Sequence, residues 1–429
     1  MAGDSPETWM PTCVASTIPS AGGDKVAVSN PSLDAAPESD VHAQNFKSAE
    51  WTPDGTTLLT DSADHHIRSF ILPPDLLDSP SVHHLSPYST LPSVEPTYAT
   101  AVYPFFNLQD PSTTLFLSSV RDHPIRLASA LAPVSVASYS LINPTTEAFI
   151  TPHSIIYPAS LGGTHFLTGS DSLICLFDVS RPGKDGPMSW LPTIPSKRKQ
   201  IVGGGIGMRG IVSAMAVSPT GDGILAAGTF TRQVGLYSSN GSGELLGTFS
   251  IAKTEANREI GGKGITQLSW SPCGRYLYIA ERKSDGILVY DIRVTGQMLG
   301  YLRGRKAITN QRMGIDVVSA GEDGAHSVWA GGTDGFMRGW KNPMYAAGGQ
   351  DPEWEFKMHD DTITSAVFHP MGGVVATSCG QRNYSSTMDD LDADDVNQHK
   401  NGENSVKVWT MPCLDSRPEE NGELEVRLD

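Results

Sequence analysis

A repeating unit is the feature that most constrains the fold of this chain. Each copy has an apolar strand ending near Ser-Pro, a second strand ending in small residues, a turn with Asp, and a third strand ending in an aromatic residue. Such units, here roughly 45 to 60 residues apart, are typical of WD-type β-propellers, in which neighbouring repeats bury one another. Seven copies fit the pattern, at residues 49–70, 102–127, 154–178, 213–237, 266–291, 314–340 and 364–384, the last completed by 405–409.

The repeats predict an all-β protein with a single seven-bladed WD-repeat propeller. With 43 Gly and 30 Pro in 429 residues, the chain has too many turn formers for a helical core. Outer strands are expected within residues 243–250, 295–302 and 352–358. One terminal segment must close the last blade, and the sequence does not choose between residues 8–16 and 422–428.

The predicted domain boundaries follow from composition. Residues 1–40 read as a largely flexible N-terminal arm, and 41–412 as the propeller. A disordered acidic insertion is expected at 383–404, and an acidic tail at 413–429. Five Cys without a C-x-x-C pair, and the lack of a secretory signal or a run of about 18 apolar residues, predict a soluble intracellular protein without a membrane partner.

Two clusters of amide and guanidinium side chains lie at predicted strand ends. They are Asn310-Gln311-Arg312 on the link into blade 6 and Gln381-Arg382 after the second strand of blade 7. In a four-stranded meander, the turn between strands two and three and the link into the next blade fall at the same end. The two clusters should therefore share one face of the propeller. Further basic candidates on such turns and links are Arg121, Arg209, Arg232, Lys263, Arg282, Lys283, Arg305 and Lys306.

Charge is distributed unevenly along the chain. The formal net charge is −16, yet residues 197–312 contain 16 Lys and Arg against 7 Asp and Glu. Because screening limits remote charge to about 8–10 Å, this basic sector can attract phosphates even in an acidic protein. The pattern leaves two readings open for these loops: ordinary solvated loops, or a binding surface. Two roles are likewise possible for Arg312 and Arg382: they could brace loop carbonyls, or they could recognise RNA.

Motifs that would indicate enzyme chemistry have simpler readings. Asp64, Asp122, Asp171, Asp285 and Asp334 recur at one repeat position, which favours turn scaffolding over carboxylate chemistry. The segment GIGMRG (205–210) matches a dinucleotide motif, but a strand follows where such a site needs a helix. We therefore expect no enzyme activity, cofactor, metal or small-molecule substrate.

Four segments resemble the telomerase Cajal-body protein family of WD-repeat proteins. They are RDHPIRL (121–127), SRPGKDGP (180–187), TNQRMGIDV (309–317) and ATSCGQR (376–382), in this order among the seven repeats. The resemblance implies a nuclear propeller that binds the localisation box of small Cajal-body RNAs and of telomerase RNA, and that contacts H/ACA ribonucleoprotein proteins. It also implies placement in Cajal bodies where the cell has them, with a cytoplasmic pool as an addition.

Two functional hypotheses remain in addition to the enzyme hypothesis, which lacks a set of catalytic residues. The first is a non-catalytic RNA-binding factor for assembly or localisation of small nuclear ribonucleoproteins, favoured by the basic sector and the family segments. The second is a protein-only scaffold, such as an assembly factor of pre-mRNA splicing complexes, favoured by the net charge of −16 and by the general tendency of propellers to bind proteins.

Overall fold

The computed structural model describes residues 10–19, 45–194, 207–294, 296–321, 324–381 and 402–412. Within these ranges the chain forms seven antiparallel sheets arranged as the blades of a propeller. The predictions of an all-β fold and of seven blades are confirmed. Strands are numbered in chain order and given from the inner to the outer edge of each blade.

Blades 1 to 4 each contain four strands. They are β2 (Phe46–Trp51), β3 (Thr57–Ser62), β4 (His66–Ile71) and β6 (Ser89–Pro92) in blade 1; β7 (Thr97–Val102), β8 (Leu115–Val120), β9 (Ile125–Ser129) and β10 (Ser135–Tyr139) in blade 2; β11 (Ser154–Ile156), β12 (His165–Ser170), β13 (Leu173–Asp178) and β14 (Ser189–Pro192) in blade 3; and β15 (Val212–Val217), β16 (Leu225–Thr229), β17 (Gln233–Tyr237) and β18 (Leu245–Ser250) in blade 4.

Blades 5 and 7 each have a short parallel strand added at the outer edge. Blade 5 contains β19 (Ile265–Trp270), β20 (Tyr276–Glu281), β21 (Gly286–Asp291), β22 (Met298–Arg303) and the added β26 (Gly348–Gln350); blade 6 contains β23 (Ile315–Ser319), β24 (His326–Gly331), β25 (Phe336–Lys341) and β27 (Trp354–Lys357); and blade 7 contains β28 (Ile363–Phe368), β29 (Val374–Cys379), β30 (Ser405–Thr410), β1 (Thr12–Ser16) and the added β5 (His83–His84). The predicted outer strands correspond to β18, β22 and β27.

Helices are short in the described residues. One α-helical turn, α1, covers Ala256–Glu259, and 3₁₀ turns cover Ala159–Leu161, Ser239–Gly241 and Pro343–Tyr345. None of these helices is long and apolar enough to cross a membrane.

The N-terminal segment closes the ring. β1 pairs antiparallel with β30, so the choice that the sequence left open falls on the segment 8–16, and the alternative, 422–428, lies outside the described residues. Ala15 is fully buried in the cluster between blades 7 and 1. Most of the predicted acidic insertion also lies outside the described residues. Its end is described, and there the Glu403 carboxylate lies 2.8 Å from His359 Nδ1. The predicted tail, 413–429, is not described.

Apolar clusters fill the interfaces between blades. One cluster lies between each pair of adjacent blades, as where Tyr278 of blade 5 packs with Trp340 of blade 6. Each blade is therefore stabilised mainly by its two neighbours, as expected for a closed repeat architecture.

Candidate functional site

Irregular inner strands place polar side chains at one end of the propeller. In five blades the register shifts at the second residue of the inner strand, leaving that residue outside the regular ladder. Such β-bulges redirect a side chain or a carbonyl. The five residues concerned are Lys47, Tyr98, Ser213, Thr266 and Thr364. All five lie at the end of the propeller where the links between blades enter, which we call the link face.

Four planar side chains from four consecutive blades form a ladder on the link face. The Tyr98 and His153 rings stack with centroids 4.7 Å apart, and His153 meets Phe230 edge to face at 6.4 Å. The Arg282 guanidinium lies 4.5 Å from the centre of the Phe230 ring. We refer to Tyr98, His153, Phe230 and Arg282 as the stacking ladder. Its two ends, Tyr98 and Arg282, are partly exposed.

Arg312 crosses the channel mouth instead of staying at the seam of blades 6 and 7. Its guanidinium donates to the Ser213 carbonyl at 2.6 Å and to the His153 carbonyl at 3.4 Å. Ser213 occupies a bulge, so Arg312 supplies a donor to a carbonyl outside the ladder. By accessible surface Arg312 is exposed at the channel mouth, although the carbonyls of blades 3 and 4 lie close to its guanidinium. Burial lowers the pKa of Arg312, and the Asp61 carboxylate opposes the shift.

The two amide-containing clusters predicted from sequence do meet on this face. Gln311 is buried and donates from Nε2 to the Gly380 carbonyl at 3.0 Å, which ties the link into blade 6 to the turn of blade 7. Asn310 and Gln381 are exposed beside this contact. Arg382 lies outside the described residues.

Two of the predicted basic contacts are enclosed by the protein. Arg305 is 1% exposed and donates to the Met313 carbonyl at 2.9 Å, so it braces its own link and does not face solvent as the sequence suggested. Burial lowers the pKa of Arg305 to about 10. Arg232 donates through Nε and Nη2 to the buried Glu281 carboxylate, 2.7 Å for each bond, an arrangement that fixes both side chains. Both guanidiniums already have partners within the protein.

The remaining basic candidates are at least partly open to solvent. They are Arg121, Arg209, Lys263, Lys283 and Lys306, with Arg282 in the stacking ladder. Arg121 pairs with Glu95, and Lys306 Nζ lies 3.2 Å from an Asp334 oxygen. Exposed ion pairs of this type contribute little stability and exchange readily with other anions. Lys197 to Lys199, where the basic sector begins, lie outside the described residues.

The recurring aspartates act as turn scaffolds where the structure gives them partners. Asp64 and Asp334 form ion pairs with Arg68 and Arg338, each four residues further along on the third strand of its blade. Asp285 accepts a hydrogen bond from the Lys306 backbone N–H. The scaffolding interpretation is supported for these three positions.

One group of three side chains in the described part of the chain has the donors of a metal site, namely His359, Cys379 and Glu403. Both His359 nitrogens are already engaged, Nδ1 with Glu403 at 2.8 Å and Nε2 with the Thr377 hydroxyl at 2.7 Å. Trp409 also donates to that hydroxyl at 2.8 Å. The group is therefore a hydrogen-bond network that links the blade 6–7 connection to blade 7.

Sequence reasoning missed three members of the ladder region and one neighbour. Tyr98, His153, Phe230 and Lys47 all lie at inner-strand starts or just after a second strand. The same topological rule that located the arginines applies to these positions. Three of the four have aromatic or imidazole rings, and rings at strand ends carry the same positional signal as the arginines; Lys47 fits the rule for basic residues directly.

Comparison with known proteins places this geometry in context. No protein-family model matches the chain. Guanine nucleotide-binding protein negative regulator 1 of Schizosaccharomyces pombe is 28% identical over 373 residues, 85% of each chain. Telomerase Cajal body protein 1 of Homo sapiens is 30% identical over 353 residues, and that of Rattus norvegicus 29% over 356 residues. The chain is thus similar in sequence to the telomerase Cajal body proteins.

The resemblance inferred from the four segments is thereby confirmed. The matches cover 79% of this chain with the human protein and 81% with the rat protein. They span 58% and 61% of those relatives' own lengths, so the chain corresponds to about three fifths of the mammalian proteins. Together with the propeller fold, the relatives support a non-catalytic WD-repeat factor.

Proposed function

We propose that this protein is a nuclear WD-repeat factor that binds an H/ACA-type RNA of the small Cajal-body or telomerase class on its link face. The stacking ladder is the observation that carries the proposal. Single-stranded RNA is recognised largely by stacking of splayed bases on aromatic or guanidinium planes. Tyr98 and Arg282 offer such planes at the partly exposed ends of the ladder.

Basic side chains around the ladder suit the phosphate backbone. Lys263 and Arg209 are exposed on links of the same face, and Lys306 lies on the link beyond. Phosphate contacts give an affinity that falls with salt, by about 0.7 log units of affinity per log unit of salt for each neutralised phosphate of a single strand. The proposed interface therefore combines sequence-tolerant stacking with electrostatic attraction, and it no longer includes Arg232 or Arg305.

The test is binding of a telomerase-type H/ACA RNA, preceded by crosslinking of the purified protein to cellular RNA. Tyr98→Ala and Arg282→Ala should each lower affinity roughly 5- to 100-fold, because each removes one stacking plane. Lys263→Ala should lower the salt slope by roughly one unit or less. Arg181→Ala is the matched control, since Arg181 has an exposed side chain on a turn of the opposite face.

Two results would contradict the RNA proposal. One is an affinity that does not change between about 50 and 200 mM salt, which excludes a phosphate-dominated mode. The other is an equal effect of Arg181→Ala and Arg282→Ala, which would mean that the link face is not the interface.

Localisation and partners belong to the same proposal. The names of the mammalian relatives refer to telomerase and to the Cajal body, which supports nuclear residence and association with H/ACA ribonucleoprotein proteins. Nothing in those names supports the cytoplasmic pool considered from the sequence. Placement of a tagged chain with a Cajal-body marker would test this part independently of RNA affinity.

A protein-only scaffold, in splicing or another assembly, is the second candidate. The match to the fission yeast protein covers 85% of both chains, and that relative's name describes regulation of a guanine nucleotide-binding protein. In addition, the outer strands β10 and β14 expose Val136 and Trp190, with 58% and 44% of their surfaces accessible. Exposed apolar edge strands are typical of protein contact sites. Absence of RNA crosslinks, with proteins retained by the purified chain, would favour this candidate.

A further inference from the structure

A cavity of about 550 Å³ opens at the end of the channel opposite the link face. It lies where the inner strands of blades 1 to 4 end, and its walls are mainly apolar. The lining includes Val102, Ile155, Tyr157 and Val217, together with one carboxylate, Glu50. Its volume falls within the range of about 300–1,000 Å³ that is usual for binding sites.

Glu50 is the one carboxylate at its repeat position among the seven blades. It is the next-to-last residue of β2 and pairs with Leu59 on β3. The corresponding residues, identified from the pairing of the first two strands of each blade, are all apolar or carry a hydroxyl. They are Ala101, Ile156, Ala216, Ser269, Val317 and Val367. A carboxylate is thus not needed at this position to build a blade.

No cation among the described residues neutralises Glu50. Glu50 is half-buried; burial raises the pKa of its carboxyl to about 7, and a hydrogen bond from the Val102 backbone N–H opposes the shift. The acids on the adjacent turns already have donors: Asp54 accepts from the Thr52 hydroxyl at 2.6 Å and from the Leu108 backbone N–H at 2.7 Å, and Asp222 accepts from the Thr220 hydroxyl at 2.8 Å.

The other titratable group on the cavity wall is also occupied. The Tyr157 hydroxyl donates to the Gly163 carbonyl at 2.7 Å, and burial raises the pKa of Tyr157. Neither Tyr157 nor the two aspartates can supply a positive charge to Glu50. An ionised carboxylate without a cation in apolar surroundings is costly, and its natural complement is a cation supplied from outside.

We propose that this cavity binds an arginine side chain presented by a peptide segment of a protein partner. A guanidinium is planar, weakly hydrated and able to bond a carboxylate through two parallel N–H donors, whereas a lysine ammonium is strongly hydrated and loses more on entering apolar walls. The methylene stem of the arginine would lie along Ile155 and Val217. This site goes beyond the proposed RNA function and lies on the other face, so both can be occupied at once.

The probe is the peptide Ac-Ala-Arg-Ala-NH₂, compared with the same peptide carrying citrulline or lysine in place of arginine. Binding is followed from the ¹³C signals of labelled Glu carboxyls and by calorimetry. The arginine peptide should bind in the millimolar range and move the Glu50 signal toward its ionised form. Its affinity should rise about tenfold from pH 6 to pH 8, because the fraction of ionised Glu50 rises by about that factor for a pKa near 7.

Two variants make the result decisive. Glu50→Gln should abolish binding of the arginine peptide. Its melting temperature at pH 8 should be no lower than that of the wild type, which would show that binding is lost with the charge and not with the fold. Glu353→Gln, the same change at an exposed glutamate of blade 6, should bind the peptide normally. The proposal is overturned if no binding occurs up to about 10 mM peptide, if citrulline or Glu50→Gln binds equally well, or if the lysine peptide binds as tightly as the arginine peptide.

Discussion

At the scale of single residues, neighbouring arginines on one link have different environments and hence different roles. Arg305 is 1% exposed and braces carbonyls of its own link, while Arg312 reaches carbonyls of blades 3 and 4. The Arg282 guanidinium, on a turn of blade 5, instead lies over the Phe230 ring, 4.5 Å from its centre. Because a guanidinium has five donors in a fixed plane, its role depends on which acceptors and rings surround it. The residue type alone does not distinguish bracing from recognition.

Arg312→Ala should therefore act mainly on stability. Removing the guanidinium leaves the Ser213 carbonyl without its donor, and we expect the free energy of unfolding to fall by about 1–3 kcal/mol. Urea unfolding measures this change, with Arg209→Ala as the control because that side chain is exposed on the same face and should change stability by less than about 0.5 kcal/mol. An unchanged urea midpoint with a large loss of RNA affinity would instead assign Arg312 to RNA recognition.

At the scale of elements, blades 1 and 6 share a clasp between a turn aspartate and an arginine on the third strand. Arg338 Nη2 lies 2.7 Å from Asp334 Oδ2, and Arg68 pairs with Asp64 in the same way. Burial raises the pKa of each aspartate, but the arginine bonds outweigh it, and the pKa of both falls to about 2. The clasp holds the turn and the third strand of a blade in fixed relation.

These clasps predict acid-dependent stability. A lowered pKa means that the stabilisation is fully present above the ordinary aspartate pKa of 3.8 and is lost as pH falls through about 2. Asp334→Asn should lower the free energy of unfolding at pH 7 by on the order of 1–3 kcal/mol, and by progressively less toward pH 2. Urea unfolding at several pH values measures it. Asp171→Asn, an exposed aspartate at the same repeat position, is the control, and an equal cost there would refute the clasp.

At the scale of the whole molecule, the ring closes through contacts between the two ends of the described chain. β1 pairs with β30, and the Thr17 backbone N–H donates to the Val406 carbonyl at 3.0 Å. Ala15 is fully buried between blades 7 and 1. A closed propeller depends on every interface, so opening one exposes two apolar faces and the edge of a sheet.

Deletion of residues 1–19 should lower the melting temperature of the entire propeller. Loss of several hydrogen bonds and of the Ala15 contact should lower the free energy of unfolding by roughly 2–5 kcal/mol, and the melting temperature by about 3–6 °C. Calorimetry measures the change. Deletion of 413–429, which removes no described residue, is the control and should leave melting within about 1–2 °C of the full chain. Equal melting of the two truncated proteins would show that β1 does not close the ring.

The sequence by itself determined the features that depend on local periodicity. The period of the apolar strands fixed the number of blades, and the alternation of turns and links fixed which residues share a face. The contact of Gln311 with Gly380 follows from that rule, even though the two residues are 69 positions apart.

Only the tertiary structure decided which of these residues are available. Adjacent Arg305 and Lys306 differ completely in exposure, since one points between blades and the other into solvent. Arg312 meets His153 across 159 positions of sequence, and the stacking ladder draws one residue from each of four blades. Such contacts depend on how the ring closes and where inner strands bulge, which are long-range packing outcomes that no local pattern records. The environment of Glu50 likewise depends on the assembled channel, in which no described cation neutralises its carboxylate.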